Sequence, residues 1–157
     1  LLAIHGRTVT QKYRGKADWR RIGEAKRRFP NLTIFGSGDI MTAEIAVERL
    51  RETGIDGIVV ARGAIGNPWI FRDIRALHEG HEKPAAPTLT EQGNILLEHF
   101  EMIGQWRPER KAVPYFRKFM ASYCKRHPER KKTLLALMGC KTAQAIIDTI
   151  KERYGLA

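Results

Sequence analysis

The chain has no long hydrophobic run and few cysteines, and its basic residues far outnumber its acidic ones. No apolar stretch approaches the roughly 20 residues that a membrane-spanning helix needs, so the sequence predicts no membrane segment. Only two cysteines are present, Cys124 and Cys140, and they lack the CxxC spacing of common metal and redox motifs. This cysteine usage favours a reduced, cytoplasmic protein, and no metal site is expected.

The excess of basic residues is the strongest compositional signal. Against 28 Lys and Arg there are 17 Asp and Glu, which gives a formal net charge of +11 over 157 residues. Residues 106–132 alone contain ten basic and two acidic side chains. Basic side chains at this density can neutralise several phosphates of a polyanion. The alternative interpretation is a helix face whose charges are simply exposed to solvent. The interleaved aromatic residues mostly have helical spacing, which favours packing in a core; they are Trp106, Tyr115, Phe116, Phe119 and Tyr123.

Residues 1–78 alternate short apolar runs with helical patterns. Strands are predicted over residues 1–4, 32–35 and 57–61. The intervening helices are expected to begin at Asp18 and Thr42, which are good N-caps, and the second ends at Gly54. The resulting β-α-β-α-β order predicts a parallel sheet and the α/β fold class.

Two loops with small residues follow the second and third predicted strands, at Ser37-Gly38-Asp39 and Ala61-Arg62. Small residues let backbone N–H groups approach an anion, and Arg62 adds positive charge. In a (β/α)₈ TIM barrel the loops after the last two strands form the usual phosphate site. We therefore expect residues 1–78 to be the last three βα units of such a barrel, with about five units preceding them.

The pattern changes after residue 78. Residues 79–87 contain Gly80, Pro84 and Pro87 and are expected to form a linker. Residues 88–157 show helical spacing throughout, beginning with Thr88 and Glu91 in capping-box spacing. This part is expected to be an all-α bundle of about four helices.

Several closely spaced motifs run through the first half of the chain. They are His5-Gly6-Arg7-Thr8, Gln11, Tyr13-Arg14-Gly15, Ala17-Asp18-Trp19, Gly38-Asp39-Ile40, Arg62-Gly63-Ala64 and Gly66-Asn67-Pro68-Trp69-Ile70-Phe71. In combination these motifs resemble the tRNA-dihydrouridine synthases. The resemblance covers residues 1–75, and the helical remainder more loosely resembles the RNA-binding domain of that family.

The resemblance implies an FMN-dependent oxidoreductase that reduces the C5–C6 double bond of uridine in tRNA, with NADPH as reductant. Ser37 and Ala61 replace the Asn and Gly that are usual in the family, which is expected to change cofactor affinity without abolishing binding. Asp39 is expected to brace its loop by accepting hydrogen bonds. The residues that the resemblance assigns to FMN binding are His5, Ser37, Gly38, Asp39, Ala61 and Arg62.

The resemblance also assigns residues to the substrate. Arg7, at the end of the first strand, is expected to contact the uridine or its flanking phosphate. Basic side chains are expected to hold the tRNA backbone and offset the cost of turning the base out of its stack. They are Lys12, Arg14, Arg117, Lys118, Lys125 and Arg126.

The resemblance assigns no catalytic residue to this chain. In the resembled family the cysteine that protonates the uracil ring lies upstream of the matched motifs, so the 157 residues alone are expected to be inactive. Two other functions stay open: an FMN barrel that acts on a small molecule, such as a dihydroorotate-dehydrogenase-like or ene-reductase-like enzyme, and a non-catalytic RNA-binding module. Two of the assigned residues also have a simpler interpretation. His5 could be a structural residue at the end of its strand, and Arg62 could form an ion pair on the surface.

Overall fold

A computed structural model describes all 157 residues, and the chain divides into two compact units. Residues 1–64 and 68–84 form the first unit, and residues 65–67 and 85–157 form the second. The first contains β1 (Leu2–His5), α1 (Trp19–Arg28), β2 (Ile34–Ser37), α2 (Ala43–Thr53), β3 (Gly57–Val59), a 3₁₀ turn (Arg62–Ala64) and α3 (Ile70–His78). The second contains α4 (Leu89–Trp106), α5 (Glu109–Tyr123), a 3₁₀ turn (Cys124–Arg126), α6 (Arg130–Gly139) and α7 (Ala143–Tyr154).

The first unit is built on a three-stranded parallel sheet with the order β1-β2-β3. His5 lies opposite Ser37, and Ser37 lies opposite Val59, so the three strands end at the same level. The loops that follow them therefore emerge together at one edge of the sheet. The predicted α/β class and the parallel pairing are confirmed, whereas a closed barrel stays a prediction.

Local sequence sets the ends of the helices in this unit. The Asp18 carboxylate accepts a hydrogen bond from the Arg21 N–H at the start of α1, and the Thr42 hydroxyl accepts one from Ile45 at the start of α2. Gly54 closes α2 in the left-handed conformation with φ 67°. These three predicted helix ends are confirmed.

The second strand begins two residues later than predicted. Lys26 Nζ donates to the Leu32 carbonyl at 3.1 Å, so this carbonyl lies outside the sheet ladder. The strand begins at Ile34, whose N–H donates to the Asp56 carboxylate at 2.8 Å. Salt-bridged Lys26 and Asp56 thus fix the entry into β2 with contacts that the hydrophobic pattern does not show.

The core of the first unit lies between the sheet and its helices. Its buried members are Trp19, Ile22, Ile34, Ile40, Ala46 and Ile55. The Trp19 ring fills the space above Gly36, where a Cβ atom would lie 2.5 Å from the indole. The same indole N–H donates to the Gly38 carbonyl at 2.9 Å. This bond ties α1 to the loop that follows β2.

The second unit is all helical. Thr88 and Glu91 form the predicted capping box at the start of α4, and Gly155 ends α7 in the left-handed conformation. Its core includes Leu96, Phe100, Phe116, Met120, Leu137, Ile146, Ile150 and Tyr154. Every helix of the chain falls short, in length or in apolar character, of what crossing a membrane requires.

Candidate functional site

A cleft of about 160 Å³ lies where the three strands of the first unit end. It is lined by His5, Tyr13, Ser37, Gly38, Asp39, Ile40, Met41, Val59, Ala61 and Arg62. The structure thus brings together the six residues that the resemblance assigns to the cofactor. They meet because the strands are parallel and in register, which places three separate loops at one edge of the sheet.

Local packing and backbone conformation require a glycine at position 38. Its φ is 129°, a conformation that side chains disfavour, and an added Cβ would lie 2.6 Å from the Ala17 Cβ. Because the Gly38 carbonyl is already held by Trp19, the peptide has a fixed orientation. The Gly38 backbone lines the cleft, and its close packing against Ala17 leaves no room for a side chain.

Asp39 joins all three loops. Its carboxylate accepts hydrogen bonds from Arg7 Nη2 at 2.6 Å, from the Ala17 N–H at 2.9 Å and from Arg62 Nη2 at 3.1 Å. Burial acts to raise the pKa of Asp39. The hydrogen bonds from Ala17 and Arg7 and the charges of the two arginines outweigh this effect and hold the pKa below its ordinary value. Asp39 thus accepts both backbone and side-chain hydrogen bonds, as the predicted bracing role requires.

Arg7 is buried and is not among the residues that line the cleft. Its side chain is 3% exposed. Besides Asp39, Nη2 contacts the Gly15 carbonyl at 2.7 Å, and Nε donates to the Arg14 carbonyl at 3.3 Å. Nη1 is buried without a hydrogen-bond partner, and the expected contact of Arg7 with substrate stays a prediction. The strand-end position suggested an outward side chain, but the following loop folds back over it.

Arg62 keeps its guanidinium at the cleft. The side chain is 46% exposed, and its Cζ lies 4.7 Å from the centre of the Tyr13 ring. This cation–π contact and the bond to Asp39 hold the charge beside Gly38 and leave other N–H groups available. Tyr13 was not predicted as a site residue, because its position depends on a loop with left-handed conformations at Lys12 and Gly15.

His5 and Ser37 form the other wall of the cleft. They are paired across β1 and β2, and His5 Nδ1 lies 3.3 Å from Ser37 Oγ. Since one hydrogen is shared between them, the pair with a neutral imidazole has one further donor to offer to an anion. Lys12 and Arg14 lie exposed on the loop between β1 and α1. The strand ends therefore carry an excess of donors over acceptors.

The four basic residues predicted in the second unit have different environments. Arg117 is half-buried and donates to the Cys140 carbonyl at 3.1 Å, so part of its role is structural. Lys118 is exposed, with Nζ 4.8 Å from the centre of the Tyr115 ring. Lys125 and Arg126 are exposed on the 3₁₀ turn.

The two cysteines are buried in the helical unit. Burial raises the pKa of the Cys124 thiol, although hydrogen bonding with Tyr154 and the charge of Arg130 act in the opposite direction. The Cys140 thiol donates to backbone carbonyls within its own unit. Neither thiol belongs to the unit that contains the cleft.

A family model described as Dihydrouridine synthase (Dus) matches residues 1–153. A probable tRNA-dihydrouridine synthase of Mycobacterium leprae (strain TN) is 36% identical over 141 residues, which are 90% of this chain and 37% of the relative. That of Rickettsia bellii (strain RML369-C) is 36% identical over 98% of this chain and 47% of the relative. A tRNA-dihydrouridine synthase B of Pseudomonas putida is 37% identical over 83% of this chain and 39% of the relative.

The chain thus spans less than half the length of these relatives. The match nevertheless extends over nearly all of its own residues and includes both units. The resemblance seen in the sequence motifs is confirmed. The chain belongs to the tRNA-dihydrouridine synthase family.

Proposed function

We propose that this chain contributes the FMN phosphate site and a tRNA-binding surface to the NADPH-dependent reduction of uridine to 5,6-dihydrouridine in tRNA. Family membership supports the reaction class, since the relatives are named as tRNA-dihydrouridine synthases. The observation that carries the cofactor assignment is the convergence of Ser37, Gly38 and Arg62 on one cleft. Membership of this family also removes the support for a small-molecule oxidoreductase.

The cleft fits a phosphate rather than a whole flavin. Its volume of about 160 Å³ is below the roughly 300–1,000 Å³ of typical small-molecule sites. Open backbone at Gly38, the Ser37 hydroxyl and the Arg62 guanidinium are the groups that bind phosphate oxygens in proteins. The Asp39 carboxylate does not oppose this fit, because two arginines already neutralise it.

Each residue then has a distinct part in holding FMN. Arg62 would pair with phosphate oxygens, for which its planar guanidinium is suited. The hydrogen-bonded pair of Ser37 and His5 would donate a hydrogen bond, and the Gly38 backbone would contact the phosphate. Asp39 and Arg7 are positioning residues that fix the loops. The chemistry that FMN supplies when bound is hydride transfer to the C5–C6 bond.

The proton for the other carbon must come from a separate acid. Cys124 and Cys140 are poor choices, since both are buried in the helical unit and burial raises the pKa of Cys124. We therefore propose that the 157 residues alone do not turn over. Dihydrouridine formed by this chain with FMN, NADPH and tRNA would contradict this part of the proposal.

The second unit is proposed to bind the tRNA backbone. Residues 106–132 carry a net charge of +8, and the exposed cations include Lys118, Lys125 and Arg126. Lysines and arginines at such density bind nucleic acid through its phosphates. The contact would be independent of FMN, because the cleft residues all belong to the other unit.

The three βα units are proposed to be the end of a (β/α)₈ barrel, with residues 79–87 as the linker and 88–157 as the tRNA-binding domain. The parallel strands, each followed by a helix, support this proposal. In barrels of this type the phosphate site lies after strands 7 and 8, where the cleft would then fall.

A flavin titration tests the phosphate assignment. Substituting Arg62→Gln should weaken FMN binding about tenfold or more, since the variant cannot form a charge-assisted hydrogen bond to phosphate. Riboflavin, which lacks the phosphate, should bind the wild type and the variant alike. The matched control is Arg51→Gln, an exposed arginine at the end of α2. An equal loss of affinity for FMN and riboflavin, or none for FMN, would contradict the assignment.

A further inference from the structure

Trp106, the last residue of α4, is 87% exposed. Its helical spacing predicted a place in the core, and for this residue the prediction is wrong. The other large aromatic residues of the core behave differently, since Phe100, Phe116 and Tyr154 are all buried. Single exposed apolar side chains are common on protein surfaces, so the exposed indole is informative only together with the charged groups around it.

The surroundings of Trp106 are strongly cationic. Arg107 follows it directly, and the Arg107 Cζ lies 4.1 Å from the centre of the Tyr115 ring. Lys118 Nζ lies 4.8 Å from the centre of the same ring. Tyr115 thus holds two positive charges next to the segment that carries Trp106. The indole itself takes no part in these cation–π contacts, so its faces stay available.

The charge of this region favours a polyanion over a protein partner. Residues 106–132 carry a net charge of +8, whereas the cores of protein–protein interfaces are depleted in lysine. An exposed aromatic ring beside fixed cations is the arrangement by which proteins bind unpaired bases: the ring stacks on the base, and the cations contact the flanking phosphates.

We propose that Trp106 is a stacking platform for an unpaired base of RNA, with Arg107 and Lys118 contacting the neighbouring phosphates. This inference rests on the proposed function, in which the second unit binds tRNA, and adds a defined contact to it. Stacking accepts any base, so the platform recognises an unpaired nucleotide rather than a particular sequence. It would therefore discriminate a folded tRNA with loops from a continuous duplex.

Binding measurements with two RNAs test the platform. The probes are a tRNA and a fully paired RNA duplex of equal length, each titrated at several salt concentrations. Trp106→Ala should weaken tRNA binding about tenfold and leave duplex binding unchanged. Trp106→Phe, which keeps an aromatic ring, should retain affinity within about threefold. Leu135→Ala is the matched control, because Leu135 is also an exposed apolar residue of the second unit.

The salt dependence separates stacking from charge. For Trp106→Ala the plot of log Kd against log salt should shift in parallel, because no phosphate contact is removed. The double substitution of Lys125→Gln and Arg126→Gln should instead reduce the slope.

Three results would overturn the platform: unchanged tRNA affinity in Trp106→Ala, an equal loss of affinity for the duplex, or an equal loss of tRNA affinity in Leu135→Ala. If one of these results appears while the Lys125/Arg126 variant still binds tRNA more weakly, only the platform is wrong. If neither variant changes tRNA binding, the tRNA-binding role of the second unit fails as well.

Discussion

At the scale of single residues, Asp39 fixes the candidate site. Arg7 and Ala17 reach it from the loop after β1, and Arg62 reaches it from the loop after β3. Its own backbone is in the left-handed region with φ 55°, which is uncommon outside glycine. Since Arg7 is almost fully buried, its charge has to be compensated inside the protein. The three loops are thereby held in place before any ligand binds.

We expect Asp39→Asn to destabilise the protein by about 1–3 kcal/mol at neutral pH, because the amide leaves the buried Arg7 charge uncompensated. The lowered pKa of Asp39 gives the sign of the pH dependence. The carboxylate stabilises the fold above its ordinary pKa of 3.8, and this contribution disappears as the pH falls through the lowered value. Urea unfolding of wild type and variant should therefore differ at pH 7 and converge in acid. A difference that is constant with pH would contradict this role.

Tyr13 is expected to act through Arg62. Substituting Tyr13→Ala removes the ring over the guanidinium and should weaken FMN binding by about two- to fivefold, the size of an exposed cation–π contact. Tyr13→Phe keeps the ring and should bind FMN like the wild type. The affinity of each variant is measured by fluorescence titration with FMN and with riboflavin. If Tyr13→Ala weakens riboflavin binding equally, Tyr13 does not act through the phosphate.

At the scale of elements, the site depends on how closely the loops after β1 and β2 approach each other. Gly38 and Ala17 are in contact across these loops, and the Trp19 indole holds the Gly38 carbonyl. The approach is set by α1, whose first residue is Trp19. The position of α1 therefore determines the shape of the cleft floor.

A double-mutant cycle measures this approach. Gly38→Ala should cost more stability than Gly15→Ala, because both positions have positive φ but only Gly38 has a neighbour that the new methyl group would strike. Ala17→Gly removes that neighbour. The combination of Ala17→Gly with Gly38→Ala should therefore be more stable than the sum of the single changes predicts, as measured by urea unfolding. Strict additivity would show that the two loops are not in contact.

The sequence predicted the elements better than the loops. Helix starts at Asp18, Thr42 and Thr88 followed from capping chemistry, which acts over three residues of chain. The buried position of Arg7 could not be predicted in this way, because it depends on carbonyls seven and eight residues away in a loop with positive φ angles. The exposure of Trp106 also escaped prediction. Helical spacing predicts the face of a helix on which a residue lies. Trp106 is the last residue of α4, and at a helix end this spacing does not determine burial.

At the scale of the whole molecule, the proposed contact with tRNA depends on the excess of basic side chains. Lys125→Gln combined with Arg126→Gln should weaken tRNA binding and reduce the salt slope by about one unit for each phosphate that the variant no longer neutralises. FMN affinity should not change, because both residues lie in the helical unit. Arg27→Gln with Arg51→Gln is the control, since it removes the same charge from exposed positions on α1 and α2. An equal decrease of tRNA affinity in the control would mean that net charge alone controls binding.

We propose that the ends of the three parallel strands hold the phosphate of FMN, and a crystal structure of the protein with FMN would show this contact. The phosphate should lie within hydrogen-bond distance of the Gly38 backbone and the Arg62 guanidinium, with Asp39 still bound to Arg7. A phosphate bound elsewhere, or an Arg62 side chain turned away from it, would show that the assignment is wrong.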